Sequence, residues 1–196
     1  MPKKRESDLR TELMRVLLKM LPRGRFLDLA CGHGTVSLIA KGLGWNVTAV
    51  DVRTKRMPKV RGVRWVESDV RDFAIKPGEY DLIAALGLLY HLELKDQLDL
   101  LARCSTMPTI VDTHVSLNPT IEEMGYRGQP FDELGGRTAE EHAQSVRASW
   151  GNLVSFWPDE ESLLRMFTDS GFHATFKLTP GYMEDRTFYL CLPKAR

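Results

Sequence analysis

The chain has 196 residues, of which 43% are hydrophobic and 27% are charged, and its net charge is +1. These values lie near the averages of globular domains and exclude disordered and fibrous classes. A chain of this length can bury one full core, so we predict a single domain over residues 1–196. The three cysteines fit neither a disulfide framework nor a C-x-x-C metal spacing, and no apolar stretch has the length of a membrane span. We therefore expect a soluble, cytoplasmic protein.

Predicted strands and helices alternate along the first half of the chain. Apolar residues at three- and four-residue steps predict a helix over residues 7–21. After it, the pattern predicts strands at 25–30, 46–51, 63–67, 80–86 and 108–112 and helices at 34–43 and 93–103. Because strands and helices alternate and residues 80–86 are almost all apolar, we predict an α/β, Rossmann-like fold.

Residues 115–157 interrupt this alternation with five glycines, two prolines and little periodicity. Long irregular insertions are usually functional or mobile, so we interpret the segment as a lid over a ligand. Its rings and possible anion-binding side chains are Tyr126, Phe131, His142, Trp150, Phe156, Trp157, Arg127 and Arg137. The alternative is that Trp150, Phe156 and Trp157 fill the core.

The last part of the chain returns to a regular pattern. A helix is predicted to begin at Pro158 and to end at Gly171. Two strands near 172–178 and 186–192 can pair as a hairpin across a loop that contains Pro180 and Gly181.

A glycine turn follows the first predicted strand in the sequence Asp28-Leu-Ala-Cys-Gly32-His-Gly34. Glycines at such a turn let the backbone bend sharply and approach a ligand closely. The second strand ends in Asp51, nineteen residues after Gly32, where a carboxylate can accept hydrogen bonds from ribose hydroxyls. Together these features predict a site for a cofactor that contains a nucleoside.

A dinucleotide-dependent dehydrogenase shares these two features, but its third fingerprint glycine is replaced here by Ser37. Asp28 also precedes the turn, and its carboxylate would repel a pyrophosphate. The same carboxylate suits the ammonium of an amino-acid moiety.

The segment F-L-D-L-A-C-G-H-G resembles motif I of the class I S-adenosylmethionine-dependent methyltransferases. Three further segments resemble family motifs in the expected order: V-D-V at 50–52, E-S-D-V at 67–70 and Y-D-L-I-A-A-L-G-L-L-Y-H-L at 80–92. The resemblance implies seven mostly parallel strands with helices on both faces and an antiparallel last strand. It also implies S-adenosyl-L-methionine as the cofactor.

The resemblance assigns cofactor contacts residue by residue. It places Gly32 and Gly34 against the methionine part, Asp51 on the ribose, Asp69 near the adenine amino group and Leu86 at the methyl end. The neighbouring members of the implied cofactor site are Asp28, Ala30, Val52 and Val70.

Polar residues follow the fourth and fifth strands, where ligands of open α/β sheets bind. Tyr90, His91, Asp112 and His114 are therefore the candidates near a methyl acceptor. A histidine can take a proton from a hydroxyl, and His91 is the first choice because it follows the methyl-end strand, with His114 second. His91, Asp112 and His114 could instead ligate a metal. The residues do not identify the acceptor.

Two acceptor classes remain. A small molecule, methylated on oxygen or nitrogen, is the first. The second is RNA, because L-L-Y-H-L and the segment 155–172 are loosely similar to enzymes that alkylate the wobble uridine of transfer RNA. Basic clusters in residues 1–25 and 52–64 agree with RNA, although short charge runs are usually solvated faces. A module that binds S-adenosylmethionine without catalysis is a third reading.

Overall fold

The computed structural model describes residues 6–145, 148–178 and 185–195. The predicted loop around Pro180 and Gly181, and the first part of the N-terminal basic cluster, lie outside these residues. Five α-helices form within the described part, in chain order α1 (Glu6–Met20), α2 (Thr35–Gly42), α3 (Leu94–Cys104), α4 (Ala139–Gln144) and α5 (Glu160–Asp169). In this part of the chain, no helix combines the length and the apolar character required to cross a membrane.

The described residues also form ten strands in two sheets. In chain order they are β1 (Arg25–Leu29), β2 (Asn46–Asp51), β3 (Val63–Glu67), β4 (Leu82–Leu86), β5 (Thr109–His114), β6 (Ile121–Glu123), β7 (Tyr126–Asp132), β8 (Val154–Pro158), β9 (Ala174–Leu178) and β10 (Arg186–Leu192). The larger sheet has the order β3-β2-β1-β4-β5-β10-β9. Strands β1 to β5 are parallel, and β10 is antiparallel to both β5 and β9. The predicted mostly parallel, seven-stranded sheet and the C-terminal hairpin are confirmed.

Each face of the larger sheet is covered by helices. Successive strand residues point to opposite faces, so Phe26 packs with Met14 and Leu18 of α1, whereas Leu27 belongs to the cluster that contains α3 and α5. α1 lies close to the predicted range 7–21, and Trp45 Nε1 fixes it by donating a hydrogen bond to the Leu18 carbonyl (3.1 Å). Because β1 has β2 on one side and β4 on the other, the strand order reverses there and a crevice forms beyond their carboxyl ends.

The insertion 115–157 is more regular than its sequence indicates. It forms a three-stranded antiparallel sheet in the order β6-β7-β8 and the short helix α4, which begins with a capping box between Thr138 and Glu141. Gly128 explains why the strand pattern of β7 is obscured. A Cβ there would lie 2.4 Å from the Trp157 carbonyl oxygen and 2.5 Å from the Phe156 ring, so glycine occupies a position where a strand pattern needs an inward side chain.

This second sheet is fixed to the core beside the ends of β4 and β5. The Phe156 amide donates to the Leu92 carbonyl (3.1 Å), and the buried Gln97 side chain donates to the carbonyls of Leu92 and Phe156 (3.0 and 2.6 Å). The Ser116 amide donates to the Pro158 carbonyl (2.8 Å). The insertion therefore stands at the same edge of the larger sheet as the crevice.

Candidate active site at the carboxyl ends of the parallel strands

The glycine turn after β1 is held in a conformation that few side chains tolerate. Ala30, Gly32 and Gly34 have φ angles of 53°, 53° and 67°. A Cβ on Gly34 would lie 2.6 Å from the Trp65 ring, so this position also lacks room for a side chain. The Gly32 amide donates to Asp51 Oδ2 (2.8 Å), which joins the turn to the end of β2.

Asp28 and Asp51, two of the three carboxylates predicted to hold the cofactor, lie near the carboxyl ends of the neighbouring strands β1 and β2. Asp51 is buried, and its second oxygen accepts from the Arg53 amide (2.7 Å). Asp28 is also buried and accepts from the Ser37 hydroxyl (2.5 Å). Burial raises the pKa of Asp28 to about 6, although the hydrogen bond from Ser37 acts in the opposite direction. Ser37, which replaces the third fingerprint glycine, thus donates a hydrogen bond to Asp28.

Two cavities adjoin at Ala30, which lines both. The Asp51-side cavity has a volume of about 140 Å³, and its lining includes Val52, Asp69, Val70, Gly87 and His91. The Asp28-side cavity has a volume of about 310 Å³, and its lining includes Arg10, Cys31, His33, Val36 and Leu86. Every residue that the sequence assigns to the cofactor lines one of these cavities except Gly32 and Gly34, whose backbone shapes the turn between them. Arg10 was not foreseen, because it lies on α1, far from the motifs in sequence.

Burial raises the pKa of the Cys31 thiol beside the Asp28-side cavity, and the carboxylates of Asp28 and Asp51 add to this effect. The thiol therefore stays protonated at neutral pH. It is not available as a thiolate nucleophile.

The Asp51-side cavity is covered by residues 148–152 of the insertion, named here the cover segment. Arg53 Nη2 donates to the Ser149 carbonyl (3.0 Å), and its guanidinium stacks over the Trp150 ring at 5.1 Å. Arg71 Nη2 donates to the Trp150 carbonyl (2.9 Å) and to Asp69 Oδ2 (2.6 Å). Burial acts to raise the pKa of Asp69, but the hydrogen bonds from Arg71 outweigh it and hold the pKa below its usual range.

His91 lies at the wall of the Asp51-side cavity and is held by the insertion. Its Nδ1 lies 2.9 Å from Glu133 Oε1, and its backbone carbonyl accepts from Asn152 Nδ2 (3.1 Å). Glu133 was missed in the sequence, because a lone glutamate within an aperiodic, acidic insertion gives no signal of a partner 42 residues away. The geometry leaves the other ring nitrogen of His91 as the candidate base.

Asp112 is placed differently from a general base. Its two oxygens accept from Arg186 Nε and Nη2, both at 2.8 Å, and Arg10 Nε lies 2.8 Å from Oδ2. The carboxylate is fully buried between the two guanidinium groups. We therefore infer that Asp112 orients the side chains of Arg10 and Arg186, and we do not retain it as a candidate base.

Both ring nitrogens of His114 have partners, as both carboxylate oxygens of Asp112 do. Nδ1 lies 3.0 Å from Asp185 Oδ2, and Nε2 lies 3.3 Å from Arg186 Nη1. Burial and the positive charge of Arg186 lower the pKa of His114, so the neutral ring is favoured. Tyr90 packs edge-on against this ring at 4.7 Å. Burial raises the pKa of Tyr90, so its hydroxyl is kept as a hydrogen-bond donor.

The three metal-ligand candidates do not converge. Within the ranges that the structure describes, no group of three or more His, Cys, Asp or Glu side chains has a metal-binding arrangement. His91 turns to Glu133, whereas Asp112 and His114 turn to Arg186.

The aromatic residues of the insertion have separate roles. Tyr126 and Phe156 are buried in the core, and Trp150 is 44% exposed on the cover segment. Phe131, Trp157 and His114 form one stack, with ring centroids 4.4 and 4.9 Å apart. The two arginines suggested as anion partners are engaged within or beside the insertion, Arg127 with Asp159 and Arg137 with the Leu134 and Glu133 carbonyls.

Comparison with known families agrees with this geometry. A family model described as "Methyltransferase domain" matches residues 1–175. The chain therefore belongs to the methyltransferase domain family, and the resemblance to class I methyltransferases that motif I suggests is confirmed.

Among curated proteins, the ubiquinone biosynthesis O-methyltransferase of Xanthomonas campestris pv. campestris strain B100 is 30% identical over 97 residues. The alignment covers 44% of this chain and 39% of that protein, so the similarity spans well under half of the relative.

Solved structures share the fold over nearly the whole chain. The N-terminal domain of EvdMO1, solved with S-adenosylhomocysteine (SAH) bound, superposes with a TM-score of 0.74 and 20% identity, covering 95% of this chain and 81% of that one. The glycopeptide N-methyltransferase MtfA, complexed with S-adenosylmethionine, gives a TM-score of 0.61 and 17% identity, with coverages of 94% and 87%. The 1,6-didemethyltoxoflavin-N1-methyltransferase of Burkholderia thailandensis superposes with a TM-score of 0.62 and 16% identity, covering 94% of this chain and 78% of that one.

Proposed function

We propose that this protein transfers the methyl group of S-adenosyl-L-methionine to an oxygen or nitrogen atom of a small-molecule acceptor. The observation that carries the proposal is the pair of cavities that adjoin at Ala30, one beside the carboxylate of Asp28 and the other beside that of Asp51. A ligand with an amino-acid end and a nucleoside end fits such a pair.

The Asp28-side cavity suits the amino-acid end. Asp28 would hold the ammonium group, and Arg10, on the wall of the same cavity, would hold the carboxylate. Gly32 and Gly34 let the backbone approach this part of the cofactor, since neither position carries a side chain.

The Asp51-side cavity suits the nucleoside. Asp51 would accept hydrogen bonds from the ribose hydroxyls, and Val52 and Val70 supply apolar contacts for the adenine. Asp69 would lie near the adenine amino group, with its carboxylate oriented by Arg71.

The methyl end would face Leu86 and Gly87, next to Tyr90, His91 and His114. The bound cofactor supplies an electrophilic methyl group, so that a C–O or C–N bond forms while the S–C bond breaks and SAH leaves. His91 would accept the acceptor's proton on its free ring nitrogen. Tyr90 would position the acceptor through its hydroxyl, and His114 would hold the Tyr90 ring in place by packing against it.

The comparisons support the reaction class and a small acceptor. The similar proteins named above are an O-methyltransferase of ubiquinone biosynthesis, a glycopeptide N-methyltransferase and a 1,6-didemethyltoxoflavin-N1-methyltransferase. The RNA alternative gains no comparable support from these proteins. In the basic run 52–64, Arg53 turns inward to Ser149 and Trp150, whereas Lys55, Lys59, Arg61 and Arg64 are exposed.

Calorimetric titration with S-adenosylmethionine and SAH tests the cofactor assignment. We expect binding by the native protein, a roughly 100-fold loss of affinity in Asp51→Ala, and no change in Asp72→Ala, an exposed aspartate outside both cavities. If neither compound binds, or if Asp51→Ala binds normally, the assignment is wrong. Transfer from methyl-tritiated cofactor to a panel of phenols, catechols and amines then tests the acceptor class.

A further inference from the structure

One buried carboxylate in the insertion accepts three hydrogen bonds. Glu133 directly follows β7 and is 2% exposed. Its Oε1 lies 2.9 Å from His91 Nδ1 and accepts from the Ser155 hydroxyl (2.9 Å), and its Oε2 accepts from the Ser149 amide (3.1 Å). Burial acts to raise the pKa of Glu133, but the contact with His91 and the serine hydrogen bonds hold it below its usual range. The side chain is therefore an ionised acceptor.

An ionised carboxylate can only accept hydrogen bonds, so it determines which ring nitrogen of His91 carries the proton. With Nδ1–H directed at Glu133, the neutral ring has its lone pair on Nε2. His91 lines the Asp51-side cavity together with Gly87, which follows β4. The contact with Glu133 thus leaves Nε2 able to accept a proton.

The second oxygen of Glu133 connects to the cover segment. It holds the Ser149 amide, while Arg53 and Arg71 hold the carbonyls of Ser149 and Trp150. The Arg53 amide in turn donates to Asp51, and Arg71 donates to Asp69. Hydrogen bonds through the cover segment therefore join Asp51 and Asp69 to Glu133 and, through it, to His91.

We infer that Glu133 is the positioning residue of this site, which fixes the base-competent tautomer of His91 and anchors the cover segment over the cofactor's nucleoside. The catalytic role of Glu133 rests on the proposed methyl transfer. Its effect on the tautomer of His91 concerns the free protein and can be tested without any substrate.

Glu133→Gln is the informative variant. The amide has one acceptor oxygen and a donor NH₂ group, but three donors converge on this position. The Ser149 backbone amide can only donate, so the amide oxygen stays on its side and the amide nitrogen faces His91 and the Ser155 hydroxyl. The hydroxyl can rotate, and His91 is relieved when its Nδ1 loses the proton and Nε2 gains it. Glu122→Gln, on the exposed strand β6, removes the same charge from the insertion and is the matched control.

Long-range ¹H–¹⁵N NMR spectra of the imidazole groups identify the tautomer directly, with the His91 signals assigned by their loss in His91→Gln. We expect Nδ1–H in the native protein and in Glu122→Gln, and a shift toward Nε2–H in Glu133→Gln. If His91 of the native protein carries its proton on Nε2, the inference is overturned by that spectrum alone. A folded Glu133→Gln with an unchanged tautomer also overturns it.

Two further measurements separate positioning from general support. We expect Glu133→Ala to weaken SAH binding about tenfold, because Ser149 loses its anchor, whereas in Glu133→Gln the amide oxygen can still accept from the Ser149 amide. With an acceptor from the panel, the kcat of Glu133→Gln should fall roughly 10- to 100-fold while the KM of that acceptor changes little. Equal losses in Glu122→Gln overturn the inference. Absence of SAH binding by the native protein refutes the proposed function instead, since the tautomer is measured without ligand.

Discussion

Asp28 is an acidic residue that folding places in an unfavourable environment. Its pKa is about 6 in the folded protein, compared with 3.8 as the ordinary value, because the carboxyl group is buried. The folded protein thus binds this proton more tightly than the unfolded chain does. The contribution of Asp28 to stability is fully present below about pH 4 and is lost as the pH rises through about 6, a change on the order of 3 kcal/mol.

A bound ammonium group would favour the ionised form of Asp28. Cofactor binding should therefore release a proton, and the affinity for SAH should rise from pH 5 to pH 7. We expect Asp28→Asn to abolish this dependence and to bind SAH more weakly, while the ligand-free variant melts at a higher temperature than the native protein at neutral pH. Calorimetry across this pH range and thermal unfolding measure both effects.

Asp99→Asn, an exposed site on α3, controls for the loss of a carboxylate. It should preserve the pH dependence of binding. A native protein whose SAH affinity is flat or falls between pH 5 and pH 7 would contradict the role assigned to Asp28.

Single residues also show where prediction from the sequence ends. Asp28 and Asp51 could be predicted because their spacing from the glycine turn is set by one strand–helix–strand unit. Arg10, Glu133 and Arg186 could not, because each reaches the site from a distant element through one side chain. A pairing across such a separation leaves no periodic pattern in the sequence.

At the scale of elements, the junction between the glycine turn and α2 is tightly fitted. Gly34 has a positive φ, and the Trp65 ring and Pro58 leave no space for a Cβ there. We predict that Gly34→Ala destabilises the protein by about 2–4 kcal/mol, because backbone strain and overpacking add together. Urea unfolding monitored by circular dichroism measures the loss.

Gly42, at the other end of α2, is the matched control. No atom lies within 4 Å of a Cβ placed there, so Gly42→Ala should be neutral or stabilise by about 0.5–1 kcal/mol. If the two variants unfold at the same urea concentration, the fit of Trp65 against the turn does not limit stability.

The elements of the larger sheet could be predicted because buried parallel strands are runs of apolar residues and amphipathic helices repeat their apolar positions. The second sheet could not. Every residue of β6 is exposed, and β7 contains both Gly128 and Pro130, so neither strand shows in its sequence the apolar–polar alternation of a strand with one buried face. Its pairing depends on β8, which lies more than twenty residues further along the chain.

At the scale of the whole molecule, the insertion consists of two parts. The fixed part contains β7 and β8, and the covering part is the cover segment, residues 148–152. β7 and β8 are joined to the core through Phe156, Gln97 and Ser116, whereas the cover segment is held mainly by polar contacts from Arg53, Arg71 and Glu133. We therefore confine the proposed lid to the covering part, residues 148–152.

Hydrogen exchange measured with and without SAH tests this division. Amide exchange in the covering part should slow when SAH is bound, because the ligand adds contacts on its inner side. Exchange in β7 and β8 should be slow in both states. Equal protection of the covering part in both states would show that it is a permanent cover, and a ligand effect on β7 and β8 would show that the whole insertion moves.

The environment of Cys31 has a chemical consequence for an enzyme of this class. S-adenosylmethionine is an alkylating agent, and Cys31 lies on the wall of the cavity proposed for its methionine end. A thiolate there would compete with the acceptor for the methyl group. Because burial and the carboxylates of Asp28 and Asp51 raise the pKa of the Cys31 thiol, it remains the weakly nucleophilic protonated form. Burial, together with two of the carboxylates that would bind the cofactor, would thus disfavour methylation of Cys31 by the bound cofactor.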